Sequence, residues 1–252
     1  LYRAWHGVGR LRYAVTPRFA VTSTEAQLKL SGQLLASLPG VLMQTHLSES
    51  PGEIALVKEL FPSAKDYTDV YDRFGLLSDH SLFAHGIHLS DRECTRLSES
   101  GSTVVHCPTS NTFLGSGLMK MTHLREKSRP VHIGLATDVG GGTSYSMLMT
   151  LGETYKVQML AGYKATATEL FHMATRGNAE RLHIGHETGS IEAGKFADLA
   201  VFDPTATPVL KSRNELSQSL EDMLFALIIL GDDRAVRATY IAGRKVHERS
   251  PT

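Results

Sequence analysis

The chain has 252 residues, 42 % of them hydrophobic and 21 % charged, a composition ordinary for a globular protein with one large domain, alone or with a smaller appendage. Lys+Arg and Asp+Glu both number 26, so there is no basic excess to offset the phosphates of a nucleic acid. The longest apolar run, Met223–Leu230, is far short of the about 20 residues of a membrane-spanning helix. No signal-peptide pattern opens the chain, and the two cysteines, Cys94 and Cys107, make no CxxC pair or disulfide framework, which fits a cytoplasmic location.

In chain order, Leu11–Thr16 reads as the first strand, and Thr22-Ser23-Thr24-Glu25 opens a helix that reaches Leu38. Val41–Thr45 is the second strand. Ser50-Pro51-Gly52-Glu53 then sets an N-cap Ser, a Pro at the first helical position and a Glu at the third, a capping box. Ser81–Ala84 is the third strand; Ser90-Asp91-Arg92-Glu93 repeats the box, and Gly101 supplies a helix stop. Thr103–Val105 and Val131–Ala136 complete the strands, and a helix runs from Ala167 to about Leu182. Strands alternating with helices predict an α/β fold with parallel strands, either a (β/α) barrel or an open doubly wound sheet. No glycine-rich phosphate loop is present: Asp138-Val139-Gly140-Gly141-Gly142 has neither the GxGxxG nor the GxxxxGK[ST] spacing. Beyond Ile184 the turn-rich Thr188–Lys195 and the strands Ala197–Asp203 and Ala238–His247, the latter halved by Gly243, predict a small all-β appendage. Leu1 in place of Met, and the run Leu1–Val8, read as the interior of a longer polypeptide.

In parallel α/β folds chemistry gathers at the C-terminal ends of strands. The five candidate strands end in Arg18-Phe19, His46-Leu47-Ser48-Glu49, His85-Gly86, His106-Cys107-Pro108-Thr109-Ser110-Asn111 and Thr137-Asp138. Two His and one Asp on successive strand ends suit a divalent metal, since imidazole nitrogen and carboxylate oxygen are ligands for zinc and also for iron or manganese. Glu49, three residues past His46, is placed to move a proton. His88, His106, His123, His132, His172, His183, His186 and His247 read as structural hydrogen-bonding residues, His106 being nearest to a strand end.

The ordered set Thr16-Pro17-Arg18-Phe19-Ala20, Gln44-Thr45-His46-Leu47-Ser48-Glu49, Ala84-His85-Gly86, His106–Asn111, Thr137–Gly142 and Leu230-Gly231-Asp232-Asp233-Arg234 resembles the guanine deaminases of the amidohydrolase superfamily, from Trp5-His6-Gly7 to Val246. The resemblance implies a partial TIM-like (β/α)8 barrel, strands four to eight, over residues 1–185, and the C-terminal portion of a small β-sandwich over 186–252. It implies one zinc per chain, with iron as the other candidate, held by His46, His85 and Asp138. Glu49, Asp138 and His85 form the implied catalytic group: Glu49 protonates the purine ring nitrogen and Asp138 handles a second proton. Arg18 would hold the guanine carbonyl and Phe19 stack on the ring, with His46 beside them. The implied reaction converts guanine and water into xanthine and ammonia, in a cytoplasmic homodimer whose partner is a small purine rather than nucleic acid or membrane.

One departure is plain. The family's first strand carries a His-x-His pair of metal ligands, and no His-x-His occurs in this chain. Strands one to three of the barrel are therefore expected to lie outside it. Two other readings stand beside the first: a sibling amidohydrolase acting on a triazine or another purine, and a non-catalytic truncated chain that acts as a binding or assembly partner.

Overall fold

Five short strands form one sheet in the order in which they occur along the chain: β1 (Ala14–Val15), β2 (Leu42–Leu47), β3 (Ser81–His85), β4 (Thr103–His106) and β5 (His132–Leu135). The computed structural model describes residues 1–250. β1 pairs parallel with β2, β2 with β3 and β3 with β4, so each connection must cross over, and helices make the crossovers. The expected α/β class with a parallel sheet is what the chain adopts. β1 is shorter than expected because it has a partner on one side only; beyond Ala14 the pairing fades to a single bond from the Leu42 N–H to the Tyr13 carbonyl.

The helices begin where their caps specify. Thr24 accepts from the Gln27 N–H and opens Glu25–Ser37. Ser50 and Glu53 form a reciprocal capping box at the head of Pro51–Leu60, and Ser90 and Glu93 do the same for Asp91–Glu99. That helix stops at Gly101, which takes φ +70° while the Ser102 N–H reaches back to the Leu97 carbonyl.

By its internal contacts the chain divides into two units, one comprising Leu1–Cys107 and Leu114–Gly134, the other Pro108–Phe113 and the residues from Leu135 on. In the first unit the core lies between one face of the sheet and the helices that cover it. Met43 and Leu47 of β2, Phe83 of β3 and Val104 of β4 are buried, together with Tyr67, Tyr71 and Leu97 of the covering helices. In the second unit Leu148, Leu210, Ala226, Leu227 and Ala235 form a cluster, with Phe171 and Phe202 packed against it. A separate sheet, β6 (Leu199–Phe202), β7 (Val236–Ile241) and β8 (Arg244–Glu248), is antiparallel, and Ala242-Gly243, both at positive φ, make the two-residue hairpin turn between its last two strands.

Two elements differ from the sequence expectation. The stretch expected to be all-β also holds the helices Pro208–Glu215 and Leu220–Leu230. Thr207 and Ser219 cap them, and Leu210 of the first and Ala226, Leu227 and Ile228 of the second are buried. The helix from Ala167 is interrupted by a π-helical segment, Met173–Gly177, before Asn178–Arg181 completes it. Just past that segment the Asn178 side chain accepts from the Leu135 N–H at 2.9 Å and donates to the Leu135 carbonyl at 2.8 Å. A side-chain amide thus stands in for a neighbouring strand at the end of β5. Asn178→Leu removes both bonds and leaves a buried backbone donor and acceptor unmatched; it is expected to lower unfolding stability by about 2–3 kcal/mol, read as a shift of the urea midpoint with the m-value unchanged.

Candidate functional site

His46 is the penultimate residue of β2. Its Nδ1 lies 2.6 Å from the Arg18 carbonyl oxygen. A carbonyl only accepts, so Nδ1 carries the proton and Nε2 is left as the lone-pair nitrogen. A histidine oriented in this way is set to ligate through Nε2. The same carbonyl takes the His46 backbone N–H at 3.2 Å and the Thr45 hydroxyl at 3.1 Å.

His85 ends β3. The register sets Leu47, not His46, beside it. Since successive strand residues alternate between faces, His85 in plain strand geometry would point away from His46. It instead takes φ +71°, and its ring stacks on that of His46 at 5.2 Å and 27°. The backbone continues left-handed through Gly86, φ +56°, where a Cβ would lie 2.5 Å from Val104 Cγ1; glycine is required there for both its φ and its size. The Gly86 N–H donates to the Leu47 carbonyl at 2.8 Å, and the N–H groups of Ile87 and His88 both reach the Ser48 carbonyl.

Glu49 lies two residues past the end of β2. One carboxylate oxygen, Oε2, lies 3.6 Å from His85 Nε2. The other, Oε1, accepts from the Ser116 hydroxyl at 2.9 Å. The Glu49 N–H is held in turn by Glu53 Oε2 at 2.9 Å. On the arm that follows β1, Phe19 has its ring 5.2 Å from that of His46, and the Arg18 guanidinium stands 5.5 Å from the Phe19 ring centre. Phe19, His46 and His85 thus form a file of rings, with the Glu49 carboxylate at one end and the half-buried Phe19 at the other.

His106, at the end of β4, departs from the role of structural hydrogen-bonding residue. It is fully buried, and neither ring nitrogen has a hydrogen-bond partner among the described residues. Burial first, and His85 second, push it down to about 3, so its imidazole is neutral at physiological pH. His88 and His123 do take structural bonds: His88 Nε2 to the Ser116 carbonyl at 2.9 Å, and His123 Nε2 to the Leu89 carbonyl at 3.2 Å. Ser116 escaped the sequence reading because nothing local marks a serine 67 positions from the carboxylate it holds.

In the second unit, Asp138 is half-buried three residues past β5, at φ +47°. Its carbonyl accepts from the Gly142 N–H at 2.5 Å. Gly142 has no room for a side chain: a Cβ there would meet the Thr137 carbonyl at 2.0 Å. Thr109 donates its hydroxyl to that same carbonyl at 3.1 Å. The Thr109–Asn111 and Asp138–Gly142 motifs therefore meet in one tight turn, and the glycines serve that turn rather than a phosphate.

The donor set of the first unit suits a metal. A tautomer-locked imidazole and a second imidazole stacked on it are nitrogen donors of the type that zinc and iron take. Among the described residues, no helix is long and apolar enough to cross a membrane.

Residues 4–246 match the Amidohydrolase family. Over 250 residues the chain is 45 % identical to the guanine deaminase of Escherichia coli K12; the match takes in 99 % of this chain and 56 % of that protein. The structure of E. coli guanine deaminase superposes with a TM-score of 0.96 over 99 % of this chain and 58 % of that one. A guanine deaminase from C. acetobutylicum, solved with guanine bound in its active site, matches at 30 % identity and a TM-score of 0.81, covering 92 % of this chain and 54 % of that one. The chain thus spans a little over half the length of these relatives. With the matched segment covering nearly all of its residues, the chain belongs to the amidohydrolase family.

Proposed function

We propose that this chain serves a guanine deaminase, the reaction being guanine plus water to xanthine plus ammonia. The observation that carries the reading is the His46 ring: its Nδ1 is committed to the Arg18 carbonyl at 2.6 Å, its face is stacked on His85, and its Nε2 is left as a ligand. The relatives at 45 % and 30 % identity that bear this activity support the substrate class. In the same reading the five strands are strands four to eight of a (β/α)8 barrel, residues 1–185 form the barrel portion and 186–252 the C-terminal part of a β-sandwich. The protein is then a cytoplasmic homodimer.

His46, His85 and Asp138 would hold the metal, zinc or iron. When bound, such a metal supplies an activated water by lowering its pKa to about 7. Everything else falls to side chains. Phe19 offers a ring face for stacking, and Arg18, whose guanidinium stands beside that ring, offers donors to the purine carbonyl. Glu49 takes a proton from the water and delivers it to the ring nitrogen next to the carbon under attack. The Ser116 bond to Oε1 leaves Oε2 as the oxygen that carries the proton. Asp138 takes the second proton and passes it to the departing amine, so that a C–O bond forms, a C–N bond breaks and ammonia leaves.

Two outcomes follow for the protein expressed from its own gene. His46→Ala, His85→Ala and Asp138→Ala each lose bound metal and xanthine formation, whereas His123→Ala keeps both; metal analysis and a xanthine assay read this out. Glu49→Gln keeps the metal and loses about 10²–10⁴-fold in kcat, and Ser116→Ala loses about tenfold in kcat with KM in place. A parent protein with neither metal nor turnover of guanine would sink the reading and leave a non-catalytic partner. Turnover of a triazine or another purine in place of guanine would move it to a sibling amidohydrolase.

A further inference from the structure

Beneath the file of rings lies a short helix, Tyr67–Arg73, whose first five residues are all buried. It is firmly anchored. Asp66 accepts from the Asp69 N–H at its head, and Thr68 gives both its N–H and its hydroxyl to Glu93 Oε1 at 3.3 and 3.1 Å. Tyr67 and Tyr71 are four residues apart and so share one face of it. Their rings stack at 5.5 Å.

The Tyr71 hydroxyl reaches three residues that carry the site, besides its neighbour Tyr67. It donates to the His46 carbonyl at 2.8 Å, accepts the Ala20 N–H at 2.9 Å, and lies 3.2 Å from the Thr45 hydroxyl. Ala20 directly follows Phe19, so this single oxygen ties the arm that bears Phe19 to the strand that bears His46.

The Tyr67 hydroxyl does the matching work one step along. It donates to Glu53 Oε1 at 2.7 Å, and Glu53 Oε2 takes the N–H groups of Glu49 and Ser50 at 2.9 and 3.4 Å. A phenylalanine at either position would pack as well against the neighbouring rings, including Phe83, 5.5 Å from Tyr71. Packing therefore accounts for the rings and not for the hydroxyls.

We propose that Tyr71 and Tyr67 are positioning residues, Tyr71 setting the distance between the Phe19 arm and the ligand His46, and Tyr67 setting Glu49 through Glu53. The inference rests on the guanine deaminase reading for its kinetic arm only. In that arm Tyr71→Phe raises KM and weakens zinc binding, measured by competition with a chromophoric chelator, by about 10–100-fold, whereas Tyr67→Phe lowers kcat by a similar factor and keeps the metal. The second arm needs neither metal nor substrate. In ¹⁵N-resolved NMR of the metal-free protein, the His46 Nδ1–H is a protected signal, and Tyr71→Phe speeds its exchange with solvent at least tenfold. If the parent protein does not act on guanine, the functional reading fails and this arm still decides the role of Tyr71. A Tyr71→Phe protein with a lowered melting temperature but parental KM, zinc affinity and His46 exchange would overturn the proposal, since a structural role alone gives that result. Should Tyr71→Phe not fold, Thr45→Val leaves the phenol in place and removes its contact with Thr45, together with the Thr45 bond to the Arg18 carbonyl. It is expected to show the same changes at smaller amplitude, and parental values there overturn the proposal equally.

Discussion

One carbonyl oxygen organises the candidate site. The Arg18 carbonyl, on the arm beyond β1, receives the His46 ring, the His46 backbone N–H and the Thr45 hydroxyl. The bond from the ring decides which imidazole nitrogen keeps a lone pair. The bond from the backbone prolongs the pairing of β1 with β2 past the last regular residue of β1. The hydroxyl belongs to a residue whose side chain faces the helices, so the covering layer is tied in as well. Without that oxygen the His46 ring has no fixed tautomer.

Around this joint the sheet supplies position and the loops supply chemistry. Parallel strands bring their C-terminal ends to one edge, and five strands in chain order present their terminal residues in chain order too. For that reason Arg18, His46 and His85 could be read off successive strand ends of the first unit, although each residue alone has an ordinary structural explanation. The helix caps were equally legible, because a capping box is complete within four residues: Ser50 with Glu53 and Ser90 with Glu93 both form as written. Glu53 shows how far such a local motif can reach, since its carboxylate also takes the Tyr67 hydroxyl and so joins the second strand end to the helix beneath it.

What the sequence did not disclose is the support for these residues. Ser116 meets Glu49 across 67 positions, Asn178 meets Leu135 across 43, and Tyr71 meets His46 across 25. None of the three lies in a motif, and each acts through a single polar group whose partner is set only by the fold. His106 was misjudged for the opposite reason. Its place at a strand end was visible, but that it is buried with no hydrogen-bond partner on either nitrogen is a property of the packed interior. The two helices in the C-terminal stretch were hidden by the turn-rich residues before them, although Thr207-Pro208 and Ser219 are ordinary start signals.

The backbone at the strand ends adds a constraint of its own. Five non-glycine residues take positive φ among the described residues; Ser48 and His85 lie at strand ends of the first unit, and Asp138 lies beyond β5 in the second. Each such conformation costs about 1–3 kcal/mol and persists only where its surroundings over-determine it. Here they do. The Ser48 carbonyl is claimed by two N–H groups from the residues after β3, the Leu47 carbonyl by Gly86, and the Asp138 carbonyl by Gly142. In the first unit, the loop beyond one strand is thus held by the loop beyond the next, and the left-handed turn at His85 is what carries its ring from the helix-facing side of the sheet to a 5.2 Å stack on His46. A regular strand would have kept the two imidazoles on opposite faces. The strained backbone is therefore the feature that converts two separate strand ends into a pair of adjacent nitrogen donors, and the glycine after His85 follows from it, since neither the φ nor the space at Gly86 admits a side chain.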